Sequence, residues 1–410
     1  MRTLPAVLLA LHRHLAVSRG ETDYRLDGGL ADSTAPRAAT ADGLPPGMTR
    51  CGDLITIALS GWLIAGLFID GWAHNTRPLL ETFFTPWHAV FYSGFAAITG
   101  WIGWLVTSRR APGRSWTQAL PRGYVAAAAG VLAFGACGLG DMAWHEIFGI
   151  EQGISALLSP THLGLFAGAF LIVTAPLRSL WADPALGRPV AFGRLLPAVM
   201  SLALAGALCA FILMQLNIFK ESFYSVGLQQ FIAEAFPGDG FVPDRNIQAG
   251  LASFIVTTVV LFGPLLFLLH RWDPPPGAML TVIGTQAVAM AGLEGFEDPA
   301  MVLVGLLAAS VVEAAARRLR PSPTRLLALR AFCVLAPAGF WAVYLAAAAT
   351  ADGGLGWPAE IWGGSIAWSA LTLLGLSLVM YPPTLPPGGA EQPNQHDWTS
   401  ASAGARGRGS

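Results

Sequence analysis

Ten stretches of the 410-residue chain are almost continuously apolar, and shorter polar stretches separate them. A membrane-spanning helix needs about 20 predominantly apolar residues, and each stretch approaches or exceeds that length. The predicted fold is therefore an all-α, polytopic integral membrane bundle, with the lipid bilayer as a partner. The predicted helices are 53–71, 87–107, 123–141, 160–178, 195–217, 249–269, 277–293, 299–316, 326–349 and 358–380.

The composition supports a membrane location. Hydrophobic residues make up 54% of the chain and charged residues only 12%, whereas about 25% of an ordinary soluble domain is charged. No basic domain or basic cluster of the kind that binds nucleic acid is visible, so no nucleic-acid partner is expected.

The arginines indicate the orientation of the helices, because positive residues collect in cytoplasmic loops. Alternate loops of the ten-helix arrangement carry them, whereas the intervening loops are mostly acidic. This alternation predicts that both termini are cytoplasmic and that the protein lies in the cell membrane. The arginines concerned are Arg109, Arg110, Arg114, Arg122, Arg178, Arg188, Arg194, Arg271, Arg317, Arg318, Arg320 and Arg325.

The two ends of the chain lack the apolar pattern. Residues 1–50 and 382–410 mix small, charged and proline residues without a sustained period, which is typical of disorder. The predicted transmembrane domain is 51–381. It comprises a first helical hairpin at 53–107, a second at 123–181, and six further helices at 195–380.

Four of the eight histidines lie at the predicted external ends of the first four helices, and they recur in a pattern. Asp70 and His74 open the first motif, which ends in Thr-Pro-Trp-His at His88. Asp141 and His145 open the second, which ends in Ser-Pro-Thr-His at His162. The repeated order predicts that the two hairpins are a tandem repeat.

The spacing within each motif is typical of metal binding. An Asp and a His at positions i and i+4 lie on one face of a helix and can address the same ion. Thr85 and Ser159 are predicted N-caps, each followed by a proline at the first helical position. The last histidine then lies in the first helical turn, where the helix dipole favours a neutral ring. Two imidazoles and a carboxylate suit copper, iron or zinc.

The first motif, DGWAH at Asp70–His74 and ETFFTPWHAVFY at Glu81–Tyr92, resembles a known segment. It is similar to the metal-binding segment of the C subunit of particulate methane and ammonia monooxygenases, the copper membrane monooxygenases. By position, the copper-ligating Asp and two His of that family fall on Asp70, His74 and His88, and Glu81 matches an intervening acid. The resemblance implies copper, an oxidation reaction and additional membrane subunits or a homo-oligomer.

The sequence is compatible with four functional interpretations and with several auxiliary site residues. Glu81, Glu146, Glu151 and Glu294 are candidate auxiliary groups, and Arg77 is a candidate partner of Asp70 or Glu81. The protein is either a copper- or iron-dependent membrane monooxygenase or oxidase, or a metal acquisition or transport protein without redox chemistry. A third interpretation is haem binding through paired histidines. In a fourth interpretation, each Asp-His pair is only a structural hydrogen bond that holds two helices together.

Overall fold

The computed structural model describes residues 47–77, 84–113, 115–149, 153–238 and 240–382. Within these ranges the chain folds into fourteen α-helices and one short 3₁₀ turn, with no β-strand. The helices are α1 Arg50–Thr76, α2 Pro86–Ser108, α3 Trp116–Ala119, α4 Val125–Phe148, α5 Ile154–Leu158, α6 Pro160–Val173, α7 Ala175–Trp181, α8 Phe192–Ile212, α9 Val226–Ala235, α10 Phe241–Arg271, α11 Ala278–Leu293, α12 Pro299–Leu319, α13 Leu326–Ala351 and α14 Ala359–Met380.

The all-helical membrane fold is confirmed. Nine of the ten predicted spans each overlap a single α-helix, and the span 160–178 corresponds to the two helices α6 and α7. Among the described residues, eight helices are long and apolar enough to cross a membrane, and the bent pair α6 and α7 provides a ninth span if it counts as one. The chain is thus a multi-pass membrane protein. The remaining predicted span, α11, has 16 residues. At 1.5 Å per residue it is about 24 Å long, shorter than a hydrocarbon core of about 30 Å.

Local chemistry explains why the fourth predicted span is divided. The axes of α6 and α7 differ by 40° at Thr174. Pro176 lies in the first turn of α7, and a proline ring cannot continue the hydrogen-bond ladder of a preceding helix. The Thr174 hydroxyl bonds the carbonyl of Phe170 and receives a hydrogen bond from Arg178. Arg178 thus joins the Thr174 side chain across the bend, and it also donates a hydrogen bond to the carbonyl of Leu171.

Glycines bring the helices of both hairpins into close contact. A Cβ on Gly66 of α1 would lie 2.7 Å from the Cα of Phe91 in α2. A Cβ on Gly168 of α6 would lie 2.8 Å from the carbonyl oxygen of Gly130 in α4. Small residues at such crossings let helix backbones approach closely in a membrane. The ends of each helix pair, which carry the motifs, are therefore held at short range.

The core of the described residues contains three apolar clusters, and the two larger ones lie mostly in the second half of the chain and beneath the motifs. The larger cluster joins α8, α10, α11 and α13 around fully buried rings such as Phe262, Phe340 and Trp341. The other cluster packs α1, α2, α4, α6 and α8 around residues such as Leu63 and Phe134. The two motif hairpins thus rest against a rigid scaffold supplied by later helices.

A buried hydrogen-bond network joins the hairpins at the far end of α1. Asp53 is 2% exposed, and its carboxylate accepts hydrogen bonds from the hydroxyls of Tyr124, at 2.7 Å, and Ser179, at 3.4 Å. Thr56 Oγ1 lies 2.9 Å from the Tyr124 hydroxyl and accepts the indole N–H of Trp101 at 2.9 Å. The network links α1, α2, α7 and the residue preceding α4, about 25 Å along α1 from Asp70.

Glu313 of α12 caps the short helix α11. Its carboxylate accepts the backbone N–H groups of Gly277, Met279 and Leu280 at 2.8, 3.2 and 3.4 Å. We expect Glu313→Ala to lower the free energy of unfolding by about 1–3 kcal/mol, because it leaves these donors without their acceptor. The measurement is thermal unfolding in detergent. Glu234→Ala, at an exposed position of α9, is the control, and equal melting temperatures for the two variants would contradict the capping role.

Candidate metal centre

The first motif is built from the last turn of α1 and the first turn of α2. Asp70 and His74 lie one turn apart on the same face of α1. The Thr85 side chain accepts the backbone N–H of His88, and Pro86 occupies the first position of α2. The N-cap predicted at Thr85 is confirmed, and so is its counterpart at Ser159, which accepts the N–H of His162. Both caps place a histidine ring at the start of a helix.

Asp70, His74 and His88 form the first triad. One oxygen of the Asp70 carboxylate, Oδ2, lies 3.3 Å from His88 Nε2 and 3.8 Å from His74 Nε2. The two imidazole ring centres are 5.5 Å apart. The Asp70 and His88 side chains are largely buried, whereas the His74 side chain is 30% exposed.

Asp141, His145 and His162 form the second triad with nearly the same geometry. Asp141 Oδ1 lies 3.3 Å from His162 Nε2 and 3.6 Å from His145 Nε2, and the ring centres are 5.8 Å apart. The carboxylate and His145 are buried, and the His162 side chain is 28% exposed. The local arrangement of the two motifs therefore agrees, although their origin as a tandem duplication stays a prediction.

The donor atoms of each triad fit a small metal ion. In a tetrahedral site with metal–ligand distances of about 2.0–2.2 Å, neighbouring ligand atoms lie roughly 3.3–3.6 Å apart. The Asp–His separations within the triads are 3.3, 3.8, 3.6 and 3.3 Å, and the three donor atoms of each triad all lie within 4.8 Å of one another. The geometry of each triad is therefore compatible with a bound metal ion.

Outer hydrogen bonds orient the second triad. The carbonyl oxygen of Gly149 lies 3.2 Å from His145 Nδ1. Because a carbonyl only accepts, this Nδ1 carries the proton, and Nε2 presents its lone pair toward Asp141. His162 Nδ1 lies 2.6 Å from the Ser159 hydroxyl, and Thr161 donates to Asp141 Oδ1 at 3.0 Å. Such partners fix the ring orientation and the tautomer that a metal requires.

Both triads line one cavity of about 390 Å³. The six motif residues share its wall with apolar side chains of α1, α2, α4, α6 and α8, such as Leu67, Phe134 and Phe211. The two triads therefore belong to a single chamber.

Two of the four auxiliary carboxylates predicted from the sequence lie in the part of the chain that the structure describes, and neither joins a triad. Glu146 follows His145 on α4 but is exposed, and Glu294 lies at the C-cap of α11; neither belongs to the cavity wall that the structure describes. Glu81 and Glu151 fall outside the described residues. Arg77 lines the cavity but forms no ion pair with Asp70, and its guanidinium lies over the indole rings of Trp72 and Trp87.

Two residues of the site escaped the motif search. Thr161 supports Asp141, and Tyr92 lines the cavity with its ring centre 6.2 Å from that of His88. Thr161 lies one residue before His162, and Tyr92 lies four residues after His88. When the two motifs are aligned on their last histidines, Thr161 corresponds to Trp87 and Tyr92 corresponds to Phe166. These two differences in side-chain polarity are the sequence signal that could have identified both residues.

The comparisons with known proteins leave these observations to stand alone. No family model, no curated protein and no solved structure matches the chain.

Proposed function

We propose that this chain is an integral membrane copper protein that binds one ion in each triad and acts as a monooxygenase-like oxidoreductase. The observation that carries the proposal is the convergence of two Asp-His-His groups on one largely apolar cavity. A protein in which the metal ion is purely structural does not need a cavity beside the ion. An enzyme that oxidises an apolar substrate needs one, because the substrate must reach the open coordination positions of the metal.

Copper is the favoured ion on chemical grounds. Imidazole suits copper, zinc, iron and nickel, and among divalent first-row ions copper binds a given site most tightly. Three protein ligands leave coordination positions open, as catalytic sites require. The likeness of Asp70–Tyr92 to a copper-binding segment points the same way. Iron and zinc are the alternative ions.

Different residues of the chain would bind the ions, orient the ligands and accommodate the substrate. The two aspartates and four histidines would hold the ions, and bound copper would supply one-electron chemistry and activation of oxygen. The bonds of Ser159 and Gly149 keep the rings of the second triad oriented. The apolar part of the wall gives a small apolar molecule a place beside the ions.

Metal acquisition or transport without redox chemistry is the alternative function. The partial exposure of His74 and His162 would let an ion enter. Transport would also require polar groups that continue across the membrane. Below Asp70 the cavity wall on α1 is formed by Leu67, Ile64 and Leu63, which disfavours passage of an ion. Haem fits less well, because its axial ligands approach iron from opposite faces, whereas each triad directs three donors at one point.

Elemental mass spectrometry of the detergent-purified protein tests the proposal. We expect two copper ions per chain, and their loss in the variant His74→Ala/His145→Ala, because each substitution removes one ligand of one triad. His270→Ala is the matched control, since that ring stacks on Trp181 away from both triads. Only copper-loaded protein that oxidises small apolar compounds supports the oxidoreductase. Copper uptake into vesicles without oxidation would favour transport, and a haem absorption band would favour haem.

A wild-type protein that stays free of metal after reconstitution with copper, iron and zinc would overturn both metal-based functions. Equal copper content in the double variant and the wild type would show that the ions bind elsewhere.

A further inference from the structure

We propose that the two triads are not equivalent. The second triad is the high-affinity site that retains its ion, and the first triad binds its ion more weakly and exchanges the ligands of that ion. The inference rests on the proposed function, because it requires metal in both triads. It goes further by assigning different roles to two groups with the same residue types.

The carboxylates carry the first difference. Asp141 Oδ1, the oxygen nearest both histidines of its triad, also accepts the Thr161 hydroxyl at 3.0 Å. In the first motif, Trp87 stands at the position of Thr161, and an indole ring offers no hydroxyl. Asp70 Oδ1 is buried and has no hydrogen-bond partner among the described residues. A buried unpaired oxygen is costly, and the Asp70 carboxylate therefore lacks the outer bond that orients Asp141.

The i+4 histidines carry the second difference. His145 Nδ1 bonds the carbonyl of Gly149, which fixes the ring. In the part of the chain that the structure describes, the ring of His74 has no corresponding hydrogen bond. Removal of an outer partner of a ligand typically weakens metal binding by about 10–100-fold. The second triad is therefore expected to bind its ion more tightly than the first.

The cavity wall does not distinguish the triads. Tyr92 follows His88 by one helical turn, and Phe166 follows His162 in the same way. Both rings line the cavity, but the Tyr92 hydroxyl reaches across to α4, where a Cβ on Gly138 would lie 3.3 Å from it. Gly138 precedes Asp141 by three residues, so the phenol is not a feature of the first triad alone. Exposure does not separate the triads, because each has one imidazole about 30% exposed, His74 at 30% and His162 at 28%.

Titration of the metal-free protein with copper(II), followed by electron paramagnetic resonance, tests the inference. His88→Ala leaves the second triad intact, and His162→Ala leaves the first. We expect the first equivalent of copper to give a signal that persists in His88→Ala and is lost in His162→Ala. The second equivalent should bind at least about 10-fold more weakly. Azide, a small anionic probe, should shift only the signal of this second equivalent.

Thr161→Val tests the outer bond of Asp141 directly. We expect it to weaken the tight copper site by about 10–100-fold, whereas Thr161→Ser retains the hydroxyl and the affinity. Thr107→Val is the matched control, because the Thr107 hydroxyl bonds only carbonyls of its own helix.

Several outcomes would overturn the inference while leaving the proposed function intact. They are equal affinity of the two sites, a tight site that survives in His162→Ala, or azide shifts in both signals. Loss of the signal at the second equivalent would show that the ions couple as one centre, and would overturn the division of roles. Absence of copper from both triads would instead overturn the proposed function.

Discussion

Replacement of Asp141 by asparagine is expected to reduce the copper content from two ions per chain to one, through loss of the ion in the second triad. Asp70→Asn is expected to remove the ion of the first triad in the same way. Each carboxylate is the shared contact of its triad, within 3.8 Å of both imidazoles. The substitution removes the negative charge while it keeps the size of the side chain. Loss of a direct ligand should exceed the roughly 100-fold loss of affinity that follows loss of an outer partner.

Copper per chain in the purified variants measures this effect, and the double variant should be free of copper. Asp352→Asn, an exposed carboxylate at the end of α13, controls for loss of charge and should retain both ions. Full copper content in both single variants would show that the carboxylates are not ligands. The triads would then be structural contacts between helices.

Gly168→Leu is expected to abolish tight copper binding at the second triad and leave the first triad occupied. A Cβ at this position would meet the backbone of α4, with the carbonyl oxygen of Gly130 and the amide nitrogen of Phe134 both 2.8 Å away. No rotation of a side chain relieves such a contact, so α4 and α6 must separate. Overpacking of this kind costs about 1–3 kcal/mol or more. The same separation pulls Asp141 on α4 away from His162 on α6.

Copper affinity and thermal stability should be measured together for this variant. Gly103→Leu is the matched control, because a Cβ on Gly103 meets nothing within 4 Å and should leave both properties near wild type. Destabilisation with unchanged copper affinity would show that the α4–α6 spacing does not control the second triad. If Gly168→Leu fails to fold, Gly168→Ala provides the test. It introduces the same Cβ with less bulk and should give a smaller loss of copper affinity at the second triad.

Much of the scaffold could be predicted because it depends on local rules. Apolar length identified every long helix, and the hydroxyl-proline pairs at Thr85 and Ser159 marked the starts of α2 and α6. The number of spans was harder to predict, because α11 is only 16 residues long. Its first turn depends on Glu313, which is about 35 positions later in the chain and carries no local signal of that role.

The members of each triad could be predicted from spacing along the chain, because an Asp and a His one helical turn apart are followed by a capped helix that begins with a His. Spacing could not predict that both triads face one cavity, that Asp141 accepts a hydrogen bond from Thr161, or that Asp70 lacks the equivalent bond. Those facts depend on how closely α4 packs on α6 and how both hairpins rest on α8. Such packing arises from contacts between distant residues, which spacing within a motif cannot specify.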